Sequence, residues 1–226
     1  NPSDKVRVLP SIGSSGAIKA VLSGMIGLGI SGRMPTDAEQ AQGVIATEYA
    51  RSPLVLAVPS GLRLNDITRG QLIDIYAGRI MYWPDGTPIR LILRPAADIS
   101  TITLKALSPG MGEAVAAAEK RRGIFIAFTD QDALEHLGIP GALGVTTLSA
   151  VVTSGLQVKA LALDGVEPSA AAIADGTYPL VVQFFLVTGR KPSAAAEQFI
   201  AFVQSAAARR ILSDTGHWLP GQPGVR

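Results

Sequence analysis

Short apolar runs alternate with segments of helical spacing along this chain, and that alternation limits the fold more than any other feature. Strands are predicted at residues 54–58, 89–93, 124–128, 141–147 and 158–163, and in the longest apolar run, 178–188. Helices are predicted between them: Thr68 and Gln71 fit a capping box, Gly78 ends that helix, residues 114–122 look helical, and Ser193 caps the last helix. Strands that alternate with helices indicate an α/β fold.

Composition excludes several classes of function. The 226 residues are enough for one large domain or two small lobes. The 20 basic and 18 acidic side chains leave a net charge of +2, so the chain has no broad basic field for nucleic acid. No apolar run approaches the roughly 18 residues of a membrane span. The sequence has no cysteine, so disulfides and thiolate chemistry are excluded.

Catalytic and metal-binding patterns are also weak. His136 and His217 are the only imidazoles, and neither lies at metal-ligand spacing to a partner, so we expect no metal site and no cofactor. A hydrolase could use Ser14 or Ser15 as nucleophile, but Gly-Ser-Ser-Gly is not the Gly-x-Ser-x-Gly elbow, and neither histidine has a companion motif. We therefore do not expect an enzyme.

The stretch Gly13-Ser14-Ser15-Gly16 raises a question about two adjacent hydroxyls. It follows an extended apolar run at residues 6–9, and helical spacing begins after it at Ala17. One interpretation is a helix N-cap, because a serine oxygen accepts a hydrogen bond from a free amide of the first turn. The other is an anion cradle, because the same amides, the dipole and the hydroxyls favour an oxyanion. The residues alone leave both interpretations open.

Seven segments, in this order, resemble one family. They are KVRVLPSIGSSGAIKAV (5–21), IGLGISGRMPTD (26–37), ITRGQLIDIYAGRIMYW (67–83), IRLILRP (89–95), GALGVTTL (141–148), VKALALDGVEPS (158–169) and IADGTYPL (173–180). Together they resemble the phosphate-binding proteins of bacterial ABC importers, which are two-lobed periplasmic solute-binding proteins. The order of the segments carries the resemblance, since none of them is decisive by itself.

The resemblance implies two α/β lobes, each a mixed sheet flanked by helices, with a ligand cleft between them. Lobe 1 would comprise residues 1–58 and 166–226, and lobe 2 residues 59–165. The implied function is to capture phosphate or a related tetrahedral oxyanion and deliver it to the permease of an ABC importer. We would then expect a periplasmic or extracytoplasmic monomer, although no signal peptide is visible.

The resemblance also implies a ligand site of hydroxyls, backbone amides and one arginine. Arg94 ends a strand just before a proline, at the edge where α/β sheets present ligands. A guanidinium suits an oxyanion because its planar fork donates two hydrogen bonds. The implied ligand-binding residues are Ser14, Ser15, Gly16, Ser31, Gly32, Arg94, Asp98, Ser100 and Thr101.

This sequence departs from the family in three places. The family's first strand, first ligand loop and first helix have no counterpart before Val6. Either the sequence is trimmed there, or this variant has lost the first ligand loop and with it one wall of the cleft. Gly32 stands where some members carry an aspartate. Asp98 stands where the family has the serine of a Ser-Gly-Thr loop, and Ser100 and Thr101 follow two positions later.

These departures leave three interpretations open. In the first, Asp98 points into the cleft and selects a protonated anion. In the second, Asp98 lies outside the site and caps the next helix, and the loop has slid so that Ser100 and Thr101 take over the donor role. In the third, the loop is degenerate and binds phosphate poorly. The third would make the chain a ligand-sensing or interaction module of the same fold, with weak or lost anion binding.

Overall fold

The computed structural model describes residues 6–221, and these residues form a mixed sheet flanked by helices, as predicted. The strands are β1 (Gly29–Ser31), β2 (Ile45–Pro59), β3 (Asp66–Ile67), β4 (Arg90–Leu93), β5 (Phe125–Ile126), β6 (Ala142–Thr147), β7 (Val158–Leu163) and β8 (Val181–Thr188). The helices are α1 (Gly13–Leu22), α2 (Asp37–Ala41), α3 (Arg69–Tyr76), α4 (Ile99–Lys105), α5 (Pro109–Glu119), α6 (Asp130–Leu137), α7 (Leu148–Thr153), α8 (Ala170–Ala174), α9 (Ala194–Gln204) and α10 (Ala206–Asp214).

Strand β2 connects the two parts of the sheet. Its residues 45–53 pair antiparallel with β8, which also pairs with β1. Its residues 54–59 pair antiparallel with β6 and β7, and β6 continues in parallel to β4 and then β5. The register of β2 against β8 shifts between Glu48 and Ala50. Both parts of the sheet therefore share β2: one part pairs with its residues 45–53 and the other with its residues 54–59.

Each part of the sheet has its own buried core. The largest cluster packs α3 and α5 against one face of β2, β4 and β6, and it includes Leu72, Met111 and Leu143. A second cluster lies around α6, and a third joins Ile18 of α1 to Val187 of β8. Residues 54–58 are fully buried because they lie between two strands and under helices on both faces, which suits a continuous apolar run.

Most predicted elements are confirmed, and the differences lie mainly at their ends. The helix predicted at residues 114–122 begins earlier and is α5. The strand predicted at 124–128 is reduced to the two residues of β5, and the last predicted helix is divided at Ser205 into α9 and α10. Strand β6 begins one residue late, because Gly141 has a φ of +82° and a Cβ there would overlap the Pro88 carbonyl oxygen.

The N-terminal prediction is wrong in two respects. Residues 6–9 form no strand, and Val6, Val8 and Leu9 are exposed. Helix α1 begins at Gly13 rather than at Ala17, so Gly-Ser-Ser-Gly is the first turn of the helix and not a turn before it. An apolar run becomes a strand only when a neighbouring strand supplies hydrogen-bond partners, and none lies beside residues 6–9 in the described chain.

The two tryptophans occupy different parts of the molecule. Trp83 is buried after α3, and its Nε1 donates a 3.1 Å hydrogen bond to Gly141 O. Trp218 and Arg51 of β2 exchange two backbone hydrogen bonds of 2.8 Å, and the Arg51 guanidinium carbon lies 4.9 Å from the Trp218 ring centroid. The segment after α10 is therefore attached to the strand that both parts of the sheet share.

Two further findings concern residues 6–221. None of their helices is both long enough and apolar enough to cross a membrane. They also contain no group of three or more His, Cys, Asp or Glu side chains that could hold a metal ion.

Candidate functional site

The hydroxyls at the start of α1 bond to a neighbouring loop and not to their own helix. Ser14 Oγ accepts a 2.9 Å hydrogen bond from Gly32 N, and Ser15 Oγ accepts one of 3.0 Å from Arg33 Nη2. No side chain caps the N-terminus of α1, where Ile12 is the preceding residue. The cap interpretation of Ser14 and Ser15 is therefore wrong. Gly16, one turn in, lies beneath Ile12: a Cβ there would be 3.1 Å from Ile12 Cβ.

The loop after β1 is held by its own side chains. Ser31 is buried; its Oγ donates to Arg33 O at 2.7 Å and accepts from Arg33 N at 3.2 Å. The Arg33 guanidinium forms a two-pronged pair with Glu39, each N–O distance being 2.8 Å. This hydrogen-bonded arginine lowers the pKa of Glu39 to about 2. Arg33 thus joins the start of α1 to α2, and Ser31 supports the loop backbone.

Gly32 lies against the start of α4. A Cβ at position 32 would stand 3.0 Å from Ile99 Cγ2 and 3.6 Å from Ser14 Oγ. The space that an aspartate would need here is therefore taken by Ile99, which follows Asp98 directly. This contact brings the first turn of α1, the loop after β1 and the loop before α4 to one place.

Arg94 is buried at the end of β4 and is surrounded by acceptors. Only 5% of its surface is exposed. Its Nη1 donates to Ala127 O at 3.2 Å, and its Nη2 lies 2.8 Å from Asp98 Oδ2 and 3.2 Å from Asp130 Oδ1. The two carboxylates differ in exposure: the Asp98 side chain is 14% exposed and that of Asp130 is 57% exposed. A buried arginine needs such partners, because an unpaired buried charge is strongly unfavourable.

Asp98 both caps α4 and faces Arg94. Its Oδ1 accepts a 2.9 Å hydrogen bond from Ser100 N, so the cap interpretation is confirmed, while Oδ2 pairs with the guanidinium. Ser100 and Thr101 are buried in the first turn of α4. The Thr101 hydroxyl donates to Arg94 O at 3.1 Å, so it fixes the backbone that carries the arginine.

The structure thus brings most of the predicted site residues into two adjoining groups. Ser14 and Gly32 contact each other, and Arg94, Asp98 and Thr101 form the second group, with Ile99 between the two. The hydrogen bonds of Ser15 and Ser31 go to Arg33. Sequence reasoning did not select Asp130, the first residue of α6. Its signals are its position just after the strand predicted at residues 124–128 and an acidic residue at a helix start, which the helix dipole explains equally well.

The histidines do not form a nucleophilic site with these serines. His136 Nδ1 lies 2.8 Å from Asp132 O, and its ring stacks on Phe125 with centroids 3.6 Å apart. His217 Nδ1 lies 3.1 Å from Leu212 O, and burial lowers the pKa of His217. Within the described chain, neither ring hydrogen-bonds to Ser14 or Ser15, so neither histidine is placed as the base for these serines.

Comparison with known proteins identifies the family. A family model described as a PBP superfamily domain matches residues 1–207. The phosphate-binding protein PstS of Bacillus subtilis (strain 168) is 25% identical over 224 residues, which are 96% of this chain and 72% of that protein.

Two solved structures have the same fold. A putative phosphate ABC transporter substrate-binding protein with bound phosphate from Clostridium perfringens gives a TM-score of 0.76 at 24% identity, over 92% of this chain and 85% of that one. An ABC-type phosphate transport receptor from Vibrio cholerae gives 0.63 at 22% identity, over 93% and 86%. The chain therefore has the two-lobed fold of periplasmic binding proteins and belongs to the PBP superfamily.

Proposed function

We propose that this chain is an extracytoplasmic solute-binding protein that captures phosphate, or a related tetrahedral oxyanion, and delivers it to an ABC importer. The single observation that carries the proposal is the buried guanidinium of Arg94, held at the end of β4 next to the contact between Gly32 and Ile99. The names of the relatives in Bacillus subtilis, Clostridium perfringens and Vibrio cholerae support phosphate as the ligand. Binding rather than catalysis is the proposed activity.

The proposal includes the division into lobes and the ligand contacts. Lobe 1 is residues 1–58 and 166–226 and lobe 2 is residues 59–165; residues 1–5 and 222–226 lie outside the described part. Ligand binding would bring the lobes together around the anion, as in other hinged binding proteins. The proposed contacts are Ser14, Ser15, Gly16, Ser31, Gly32, Arg94, Asp98, Ser100 and Thr101.

The carboxylates at Arg94 determine which anions can enter. A fully ionised anion is repelled by Asp98 and Asp130, whereas a protonated oxyanion can donate a hydrogen bond to either. Phosphate and arsenate carry such a proton near neutral pH and sulfate does not. Asp130 is the more exposed of the two, so it can move away from Nη2 while Asp98 keeps its cap. We therefore expect phosphate to bind more tightly than sulfate.

The same contacts favour a second candidate function. Both terminal nitrogens of Arg94 already have acceptors, so the outer edge of the guanidinium is paired without any ligand. A ligand-sensing or interaction module that has kept the fold and weakened its anion site would have this arrangement. The two candidates differ in one measurable property, which is the affinity for tetrahedral oxyanions.

Isothermal titration with phosphate, arsenate and sulfate tests the proposal. Phosphate and arsenate should release or absorb heat, and Arg94→Lys should weaken phosphate binding about ten- to a hundredfold, because lysine lacks the planar fork. The matched control is Arg79→Lys, since Arg79 is 61% exposed and pairs with Asp74 at the surface. No binding of any of the three anions would favour the second candidate, and unchanged binding in Arg94→Lys would show that the site lies elsewhere.

A further inference from the structure

A small cavity lies behind Arg94. About 10 Å³ is open to the centre of a water molecule there, which is roughly the room that one water needs. The cavity is lined by residues of β4, β6 and helices α3, α4 and α5, and by Arg94 at the end of β4. Its polar lining side chains are Tyr76, Arg94, Thr101 and Glu119.

Three of these lining side chains each carry a polar atom that is buried without a hydrogen-bond partner in the described chain. They are Tyr76 Oη, Arg94 Nε and Glu119 Oε1. Arg94 directs its terminal nitrogens to Ala127, Asp98 and Asp130, so Nε is the one guanidinium nitrogen left without an acceptor in the described chain. Glu119 Oε1 forms an ion pair with Lys105 Nζ at 2.7 Å but receives no hydrogen bond of acceptable geometry.

The three atoms match the bonding capacity of one water molecule. Arg94 Nε–H can only donate, and a carboxylate oxygen can only accept. The Tyr76 hydroxyl can do either, and burial raises its pKa, so it keeps its proton. A water that accepts from Arg94, donates to Glu119 and shares a hydrogen bond with Tyr76 makes three bonds, the usual number for a buried water.

We infer that an ordered water molecule fills this cavity and joins Tyr76 and Glu119 to Arg94 Nε, so that both are positioning residues for the guanidinium. Asp98, Asp130 and Ala127 hold the outer edge of the guanidinium, and the water holds its inner edge. Held at both edges, the plane of the group cannot rotate. The consequence for ligand binding rests on the proposed function; the water site itself does not.

A high-resolution crystal structure tests the water site directly. We expect one water within hydrogen-bond distance of Tyr76 Oη, Arg94 Nε and Glu119 Oε1, whether or not an anion is bound. An empty cavity, or direct contacts among the three side chains that leave no room for water, would overturn the inference.

Two side-chain variants test the positioning role in solution. In Tyr76→Phe and Glu119→Gln, the ¹H–¹⁵N resonance of Arg94 Nε should shift and exchange faster with solvent, because its partner is less firmly held. Tyr178→Phe is the matched control: it removes a buried hydroxyl that donates to Leu54 O at 3.0 Å, and Tyr178 does not line the cavity. An Arg94 resonance that stays unchanged in both variants would contradict the positioning role.

Phosphate affinity then separates this inference from the proposed function. Tyr76→Phe and Glu119→Gln should each weaken phosphate binding about three- to tenfold, the usual effect of one hydrogen bond. Tyr178→Phe should bind like the wild type. If the wild type binds no phosphate, the proposed function fails while the crystal structure and the Arg94 resonance still decide the water site. Wild-type affinity in both variants would overturn the positioning role.

Discussion

Asp98 divides its two carboxylate oxygens between different partners. Oδ1 accepts from Ser100 N at the start of α4, and Oδ2 pairs with Arg94 Nη2. The cap needs an oxygen but no charge, since asparagine caps helices about as well as aspartate. The ion pair needs the charge. A change from aspartate to asparagine therefore separates the two contributions.

We expect Asp98→Asn to bind sulfate more tightly than the wild type does. The variant keeps the cap of α4 and removes one negative charge from beside Arg94, so a fully ionised anion meets less repulsion. The free energy of unfolding should fall by about 1–3 kcal/mol, because the buried guanidinium loses a charged partner. Titration calorimetry and urea unfolding measure the two effects.

The control for this change is Asp130→Asn. Because the Asp130 side chain is more than half exposed, its removal should lower the free energy of unfolding by less than about 1 kcal/mol. If Asp98→Asn bound sulfate no better than the wild type, Asp98 would not face the ligand.

Side-chain partners were the least predictable part of the site. The sequence places Ser14 at a helix start, where a cap is the common role, yet its partner is Gly32, 18 positions away. Likewise, nothing local to Gly32 indicates that Ile99 fills the space beside it. Arg94 was easier to select as a candidate, because its position depends on one strand end. Contacts between distant loops depend on the packing of the whole chain, so the spacing of neighbouring residues does not predict them.

Between α1 and α2, the loop after β1 is fixed by one ion pair. Arg33 bonds to Ser15 on α1 and to both carboxylate oxygens of Glu39 on α2. Glu39 also closes the capping box of α2 by accepting from Thr36 N. This element therefore depends on an ionised Glu39.

Acid should weaken this connection. The pKa of Glu39 is lowered from its ordinary value of 4.5 to about 2 in the folded chain. Ionised Glu39 therefore contributes its full stabilisation at pH values above 4.5. That stabilisation is lost as the pH falls from 4.5 towards 2. In urea unfolding at a series of pH values, the wild type should lose more stability between about pH 5 and about pH 3 than Glu39→Gln does.

The control for Glu39→Gln is a carboxylate that takes no part in the Arg33–Glu39 ion pair. Glu113→Gln, an exposed position on α5, should follow the wild-type pH dependence. A Glu39→Gln profile parallel to the wild type would mean that the Arg33 pair contributes little to stability.

Elements with local signals were predicted well, and elements without them were not. Both hydrogen bonds of the Thr68–Gln71 capping box are present at the start of α3, because a cap depends on residues three positions apart. Residues 6–9 have a strand-like pattern but no neighbouring strand, so the pattern alone was insufficient. Strand β3 was not predicted, and β5 is shorter than the strand predicted at residues 124–128. The extents of β3 and β5 depend on pairing with β7 and β4, which the sequence does not indicate.

At the scale of the whole molecule, β2 makes the two parts of the sheet interdependent. The strand pairs with β8 over residues 45–53 and with β6 and β7 over residues 54–59. If β2 left one part of the sheet, the strands of the other part would also lose a hydrogen-bonded neighbour. The cores on both sides of residue 53 are thus connected by one continuous element.

We expect urea to unfold the chain in a single cooperative transition. The unfolding curve measured by far-ultraviolet circular dichroism, which follows helices and strands, should coincide with the curve measured by near-ultraviolet circular dichroism, which follows side-chain packing. Phosphate that binds only the folded state should move both curves together to higher urea. Two separate transitions would show that the parts of the sheet unfold independently in spite of β2.

The placement of the two indoles gives the molecule a pair of separate optical reporters. Trp83 is enclosed near Gly141, whereas Trp218 lies under the Arg51 guanidinium beside β2. A nearby cation alters the emission of an indole, so a bend in the shared strand would change the fluorescence of Trp218 and leave that of Trp83 constant. Replacing one tryptophan with phenylalanine would leave the other as the single indole, so the fluorescence of Trp83 and that of Trp218 could be measured separately.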